Sequence, residues 1–162
     1  LEILTKIMQN RKCTFQFSAV SPDNIEEIIK KLPNSKSCGI DNIDAYIIKL
    51  GKDQLIPVIT HITNLSIHEK KFPSVWKCAK VIPLHKKDET MYPKNYRPVA
   101  LLPIISKIVE RAIYCQLIEY FESNNLLHPS HHGFRSKHNT STALIQMMDI
   151  WMEALDKDEI TP

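Results

Sequence analysis

Apolar residues return every three to four positions along most of this chain, and only one short stretch breaks that rhythm. Ser21 offers a capping oxygen and Pro22 occupies the first-turn position where a missing amide costs nothing, so a helix starts there. Ile25, Ile28, Ile29 and Leu32 then repeat at helical spacing, and Pro33 follows the stop. A short helix is predicted over residues 41–50, with Ile43, Ile47 and Ile48 inward. A longer one is predicted over residues 53–70, with Leu55, Val58, Ile59, Ile62 and Leu65 as its apolar side and Pro57 in its first turn. After Pro103 the helical period resumes to about residue 122, marked by Ile104, Ile105, Ile108, Val109, Ala112, Ile113, Leu117, Tyr120 and Phe121. A last helix starts near Thr140 or Ser141 and would bury Leu144, Met147, Met148, Trp151 and Leu155.

The exception to the helical rhythm lies in the middle. Residues 78–84 (CAKVIPL) are short, rich in β-branched and apolar types, and bounded by charge, which favours a strand. Pro83 assigns that strand to an edge or a bulge. Residues 86–95 carry no apolar period and read as a polar loop, and residues 97–102 (RPVALL) as the returning strand. The predicted fold class is therefore α+β and mostly helical, with one β-hairpin and about five helices.

Charge sharpens the picture of that hairpin. The chain as a whole is only +3. Between His68 and Arg97, eight Lys/Arg stand against three acids, a local +5, so the remaining residues sum to −2. One sign gathered in a central segment attracts phosphates. The end of the chain is acidic, with Asp149, Glu153, Asp156, Asp158 and Glu159 against Lys157. Cys13, Cys38, Cys78 and Cys115 form no CxxC pair, which suggests reduced thiols and an intracellular protein, nuclear or cytoplasmic. No apolar run approaches the roughly 18 residues of a membrane span and no secretory leader opens the chain, so no membrane partner is expected. The first residue is Leu, which suggests a segment of something longer.

Few constellations of catalytic type are present. His128, His131, His132 and His138 share one loop, but no Cys joins them and the spacing fits no zinc set, so no metal site is assigned. With three glycines and no GxxxxGK[ST] or GxGxxG, phosphate binding must come from side chains. Lys80, Lys86, Lys87, Lys94 and Arg97 crowd the hairpin. Lys86 and Arg97 stand at the two strand–loop junctions, where a hairpin register would bring them together across the ladder. A Lys point charge beside an Arg fork suits a triphosphate.

Several strings then align with a known family. KSCGID (residues 36–41) looks like a KSPGPDG block, with Asn42 replacing its last glycine and able to keep the left-handed turn. PSVWK (residues 73–77) looks like P-x-x-W-K, and VIPL with Lys86, Lys87 and Asp88 like v-i-P-i-x-K-K. NYRP, LLP, Ser106-Lys107 and Glu110-Arg111 match NYRPISLLP…SK…ER, and GFR (residues 133–135) with Thr140 and Ala143-Leu144 matches the block after it. Asn139 stands where Ser is usual, and His131 where Gln is usual. Over most of its length the chain resembles the amino-terminal part of the reverse transcriptase domain of non-LTR retrotransposons, LINE-like elements of the jockey kind.

That resemblance implies a fingers-type subdomain of a right-hand polymerase, with residues 1–35 a helical lead-in and 36–162 a partial reverse transcriptase domain. It implies that Lys86, Lys87 and Arg97 hold the incoming dNTP, with Lys94, Arg135 and Lys137 on the backbone of RNA template or DNA primer. The alternatives are an ion pair of Arg97 with Glu110, and for Arg135 a loop anchored by burial of Phe134. The family's palm carries carboxylates in strands reading F-x-D and A-D-D, which this sequence does not contain. Mg2+ is thus expected for the complete enzyme and not for this fragment, which holds no catalytic residue of its own and is expected to need the rest of the polymerase domain. The other reading is a non-catalytic nucleic-acid-binding or interaction module derived from a retroelement, and the least favoured is a helical structural domain whose basic hairpin is incidental.

Overall fold

The computed structural model describes residues 14–158. Residues 1–13 of the lead-in, with Cys13, and Glu159 fall outside them. Among the described residues there are five α-helices and one two-stranded antiparallel sheet: α1 (Pro22–Lys31), α2 (Ala45–Leu50), α3 (Lys52–Glu69), β1 (Lys80–His85), β2 (Tyr96–Leu101), α4 (Ile104–Ser123) and α5 (Thr140–Asp156). This is the α+β, mostly helical class expected. The chain divides into two units, residues 1–118 and 119–162, with the division inside α4.

In the first unit, α1 begins where its sequence dictates. The Ser21 side chain accepts from the Asn24 amide, and the Asn24 side chain accepts from the Ser21 amide, a reciprocal cap ahead of Pro22. Ile25 and Ile29 are fully buried and meet Ile48 of α2, Ile59 of α3 and Ile104, Ile108 and Ala112 of α4 in one core. The α2 helix is shorter than expected. Residues 39–42 form a turn instead, with Asn42 left-handed at φ 56 as anticipated, and Asp44 caps the Ile47 amide. Ile47 is half exposed, while Ala45 and Ile48 face inward.

The buried side of α3 also differs from the apolar count. Val58 and Leu65 are half exposed, and Thr60 and Thr63 lie on the buried stripe with Ile59. Their hydroxyls donate to the Ile56 and Ile59 carbonyls, each at 2.7 Å, so a polar type is buried without an unmet partner. Pro57 is the sixth residue of α3, not in its first turn, so the Asp53 carbonyl loses its helical donor. At the far end Lys70 takes a left-handed conformation (φ 54), and the Lys71 amide reaches back to the Ser66 carbonyl, closing the helix in a Schellman-type turn.

Two amides on different helices hold the segment before α1. Asn64 accepts from the Val20 amide at 2.7 Å and donates to the Val20 carbonyl at 3.0 Å. Gln116 does the same for Ser18, at 2.9 and 3.0 Å. Each side chain imitates a neighbouring strand, so an isolated extended segment has its backbone groups met. Gly39 fixes the other junction. A Cβ there would lie 2.5 Å from the Pro103 nitrogen and 2.8 Å from the Leu102 carbonyl carbon, so the 39–42 turn presses directly on the exit of β2.

In the second unit, α5 starts at Thr140, as expected, and Asn139 caps it. Its expected burial does not hold. Leu144, Met147, Met148, Trp151 and Leu155 are between 40% and 68% exposed, and Ala154 alone is buried. The amphipathic pattern is present, but the described residues of α5's own unit supply nothing to cover it. Among the described residues no helix is long and apolar enough to cross a membrane.

Candidate nucleic-acid interface

The hairpin register accommodates its prolines. PSVWK forms a 3₁₀ turn, Ser74–Lys77, so β1 starts at Lys80, two residues later than expected. β1 runs against β2 with Lys80 opposite Leu101, Pro83 opposite Pro98, Leu84 opposite Arg97 and His85 opposite Tyr96. Antiparallel pairs alternate between hydrogen-bonded and non-hydrogen-bonded, and two prolines can oppose each other only at the latter. The Lys86 amide donating to the Asn95 carbonyl at 2.8 Å has the matching parity.

This register corrects the expected pairing of Lys86 with Arg97. Arg97 faces Leu84, and Lys86 lies two residues further along the same face, a diagonal neighbour of Arg97. That face changes character along its length. Ile82, Val99 and Leu101 are partly buried near its base, and Leu84, Lys86 and Arg97 are exposed near the tip. No ion pair among the described residues engages Lys86, Lys87, Lys94 or Arg97. Glu110, the partner considered for Arg97, accepts instead from the buried Ser106 hydroxyl at 2.8 Å. Lys94 sits over the Tyr92 ring, 5.3 Å from its centroid.

The tip between the strands is braced. His85 Nε2 donates to the Asp88 carbonyl at 2.9 Å, Asn95 Nδ2 to the Glu89 carbonyl at 2.7 Å, and the Tyr96 hydroxyl to the Thr90 carbonyl at 2.9 Å. A carbonyl can only accept, so the His85 tautomer carries its proton on Nε2. Three consecutive carbonyls are thus held by three strand-end side chains, and Asn95 is buried to do so. Asp88 takes a left-handed conformation (φ 64) within this loop. The cations project from an ordered frame. Nothing in the residue types of the loop signalled this, because the bracing acts on backbone groups.

The second unit holds the other predicted cations. Arg135 is only partly exposed, and its Nε lies 3.8 Å from Glu122 Oε1, which gives it a structural partner. Lys137 is exposed in a left-handed conformation (φ 62). Phe134 is fully exposed with φ 55, so burial of that ring does not anchor the loop. The anchor is His132, whose Nδ1 lies 2.9 Å from Thr142 Oγ1 and whose Nε2 lies 2.5 Å from Gln146 Oε1. These partners are one turn apart on α5, so one ring clips the loop to the helix. Sequence reading missed His132 in this role because its four-histidine loop drew attention to metals. Among the described residues no three His, Cys, Asp or Glu converge on a metal-sized site, and the carboxylates present do not fit the Mg2+ set of a polymerase.

The comparison with known proteins concurs with the sequence strings. Over 143 residues the chain is 33% identical to the RNA-directed DNA polymerase from mobile element jockey of Drosophila melanogaster, a match covering 88% of this chain and 16% of that protein. It is 33% identical over 145 residues to a "Probable RNA-directed DNA polymerase from transposon BS" of the same species, covering 86% and 16%. The jockey polymerase of Drosophila funebris is 29% identical over 141 residues, covering 86% and 15%. No family model matches the chain. The chain thus spans about 16% of the length of the curated relatives it matches.

Proposed function

Starting from a chain that is 33% identical to one segment of a jockey RNA-directed DNA polymerase, we propose that it is the fingers portion of such an enzyme. In this reading it binds RNA template, DNA primer and incoming dNTP with the tip of its hairpin. The observation that supports it best is that Arg97 and Lys86 are diagonal neighbours on one exposed face, both without an acidic partner among the described residues. The Arg97 fork takes two phosphate oxygens at once, and Lys86 adds a mobile point charge beside it. Lys87 extends the same positive field from the loop. These groups neutralise a triphosphate and orient it, which is most of what phosphoryl transfer asks of a protein outside its metal site. Lys94 and Lys137 contact backbone phosphates in this reading, and Arg135 contributes less because Glu122 already occupies it.

The exposed apolar side of α5 fits a segment of a longer polymerase. Residues such as Met148 and Leu155, at 58% and 68% exposed, are the surface that the rest of the polymerase domain would cover. Cross-linking of a 4-thiouridine-labelled RNA hybridised to a DNA primer tests the binding surface. Adducts are expected on residues 84–97. Adducts confined to α1 and α3, or none at all, would overturn the assignment.

A further inference from the structure

Ser18 and Val20 turn their backbone groups inward, where Gln116 of α4 and Asn64 of α3 meet them. In an extended chain the N–H and C=O of one residue point to one edge, and those of the next residue to the other. Phe17 and Ala19 therefore point theirs outward. Among the described residues neither has a hydrogen-bond partner, and both are exposed, Phe17 at 38%. The segment is half of a ladder, with one edge closed by two side-chain amides and the other open.

Open edges of folded proteins are ordinarily blunted by a charge, a proline or a bulge. The hairpin carries such a device in Pro83 and Pro98. Residues 14–20 hold neither charge nor proline. The spacing of the open residues selects what fits them. An antiparallel copy of the same segment, on a two-fold axis at Ser18, sets Phe17 opposite Ala19 of the second copy and Ala19 opposite its Phe17. Both pairs fall at hydrogen-bonded positions, so every open group of one copy meets an open group of the other. The side chains agree with this register. A ring faces a methyl on each side of the axis, and Ser18 faces Ser18. No like charges come together, because residues 14–22 carry none. An acidic or basic partner would find no counter-charge in this segment.

We propose that this edge is a self-association site, joining two copies of the chain through an antiparallel strand pair centred on Ser18. The proposal is independent of the nucleic-acid reading above. The contact is small, so the dimer is weak and forms at high concentration. Amide hydrogen exchange, read residue by residue by NMR at micromolar and at millimolar chain concentration, tests it without any variant. Sedimentation of the native and Ala19→Pro chains gives the second arm. Ala19 is exposed, its N–H has no partner to lose, and the extended Ser18 before it suits a following proline. The Phe17 and Ala19 amides are expected to exchange about fivefold or more slowly at the higher concentration, by mass action. The particle mass should rise with them, while Ala19→Pro stays monomeric. Exchange at Phe17 and Ala19 that ignores concentration overturns the proposal. A dimer that Ala19→Pro forms equally well also overturns it, and assigns the contact to another surface such as the apolar side of α5.

Discussion

Pro83 stands opposite Pro98 across the hairpin, at a non-hydrogen-bonded position of the ladder. At such a position each residue points its N–H outward, away from its partner, so two prolines cost the ladder nothing. What they remove is the middle donor of each open edge. Both edges of this ribbon therefore lack the group that a third strand would need there.

Restoring those donors should make the ribbon adhesive. A Pro83→Val/Pro98→Val variant is expected to keep its fold and to associate at concentrations where the native chain does not, read by light scattering. An unchanged particle size across the same range would show that the prolines guard nothing.

The Asn64 amide carries more than its surface position suggests. Val20 is 6% exposed, and Asn64 meets both of its backbone groups. Asn64→Ala should cost about 2–3 kcal/mol in chemical denaturation, since it leaves a buried donor unmet. Gln116→Ala, which releases the exposed Ser18 backbone to water, should cost about 1 kcal/mol or less. Equal losses would remove the distinction.

Gly39→Ala is expected to be among the more damaging small changes. The new methyl would meet backbone, at 2.5 Å from the Pro103 nitrogen, and backbone cannot swing aside as a side chain can. A loss of about 2–3 kcal/mol is expected, at the upper end of overpacking, with the unfolding transition moved to lower denaturant. A neutral result would show that the turn and the β2 exit separate freely.

Glu26 gives the fold a pH dependence. Its hydrogen bond to Lys52 and then that to Lys30 hold its carboxyl below the ordinary carboxylate range, while Lys52 is raised by the same hydrogen bond. A depressed carboxylate contributes stability that is present above its unfolded pKa and is lost as pH falls through the folded value. Lys52 behaves in the opposite sense, its contribution full below its unfolded pKa and lost at strongly alkaline pH. Lys52 also sits at the first turn of α3, where the helix dipole disfavours a cation, and Glu26 offsets that. Glu26→Gln should lower stability modestly at neutral pH and flatten the acid limb below about pH 4.5, near the carboxylate reference range, so that variant and native chain converge in acid. An acid limb identical to the native one would remove Glu26 from the account.

Much of this architecture was legible in the residues. Ser21-Pro22 and Thr140 marked helix starts, Asn42 marked a left-handed turn, and the VIPL and RPVALL runs marked the strands. What periodicity missed were polar residues doing apolar work, such as Thr60 and Thr63, whose hydroxyls satisfy themselves on their own helix. It also missed the register, because a shift that pairs Arg97 with Leu84 depends on the turn at Asn95 and not on composition. The α5 stripe was read correctly as amphipathic and wrongly as buried, since a pattern states what must be covered and not what covers it.

The central claim is that Lys86, Lys87 and Arg97 grip phosphate. The direct measurement is the salt dependence of binding to an RNA–DNA hybrid between 50 and 200 mM salt, for the native chain and for Lys86→Ala/Lys87→Ala/Arg97→Ala. All three side chains are exposed, so the fold should survive the change. The account predicts weaker binding by the variant and a slope of log affinity against log salt that is shallower by about 2–3, close to one per lost phosphate contact. Equal affinity and an equal slope would contradict it.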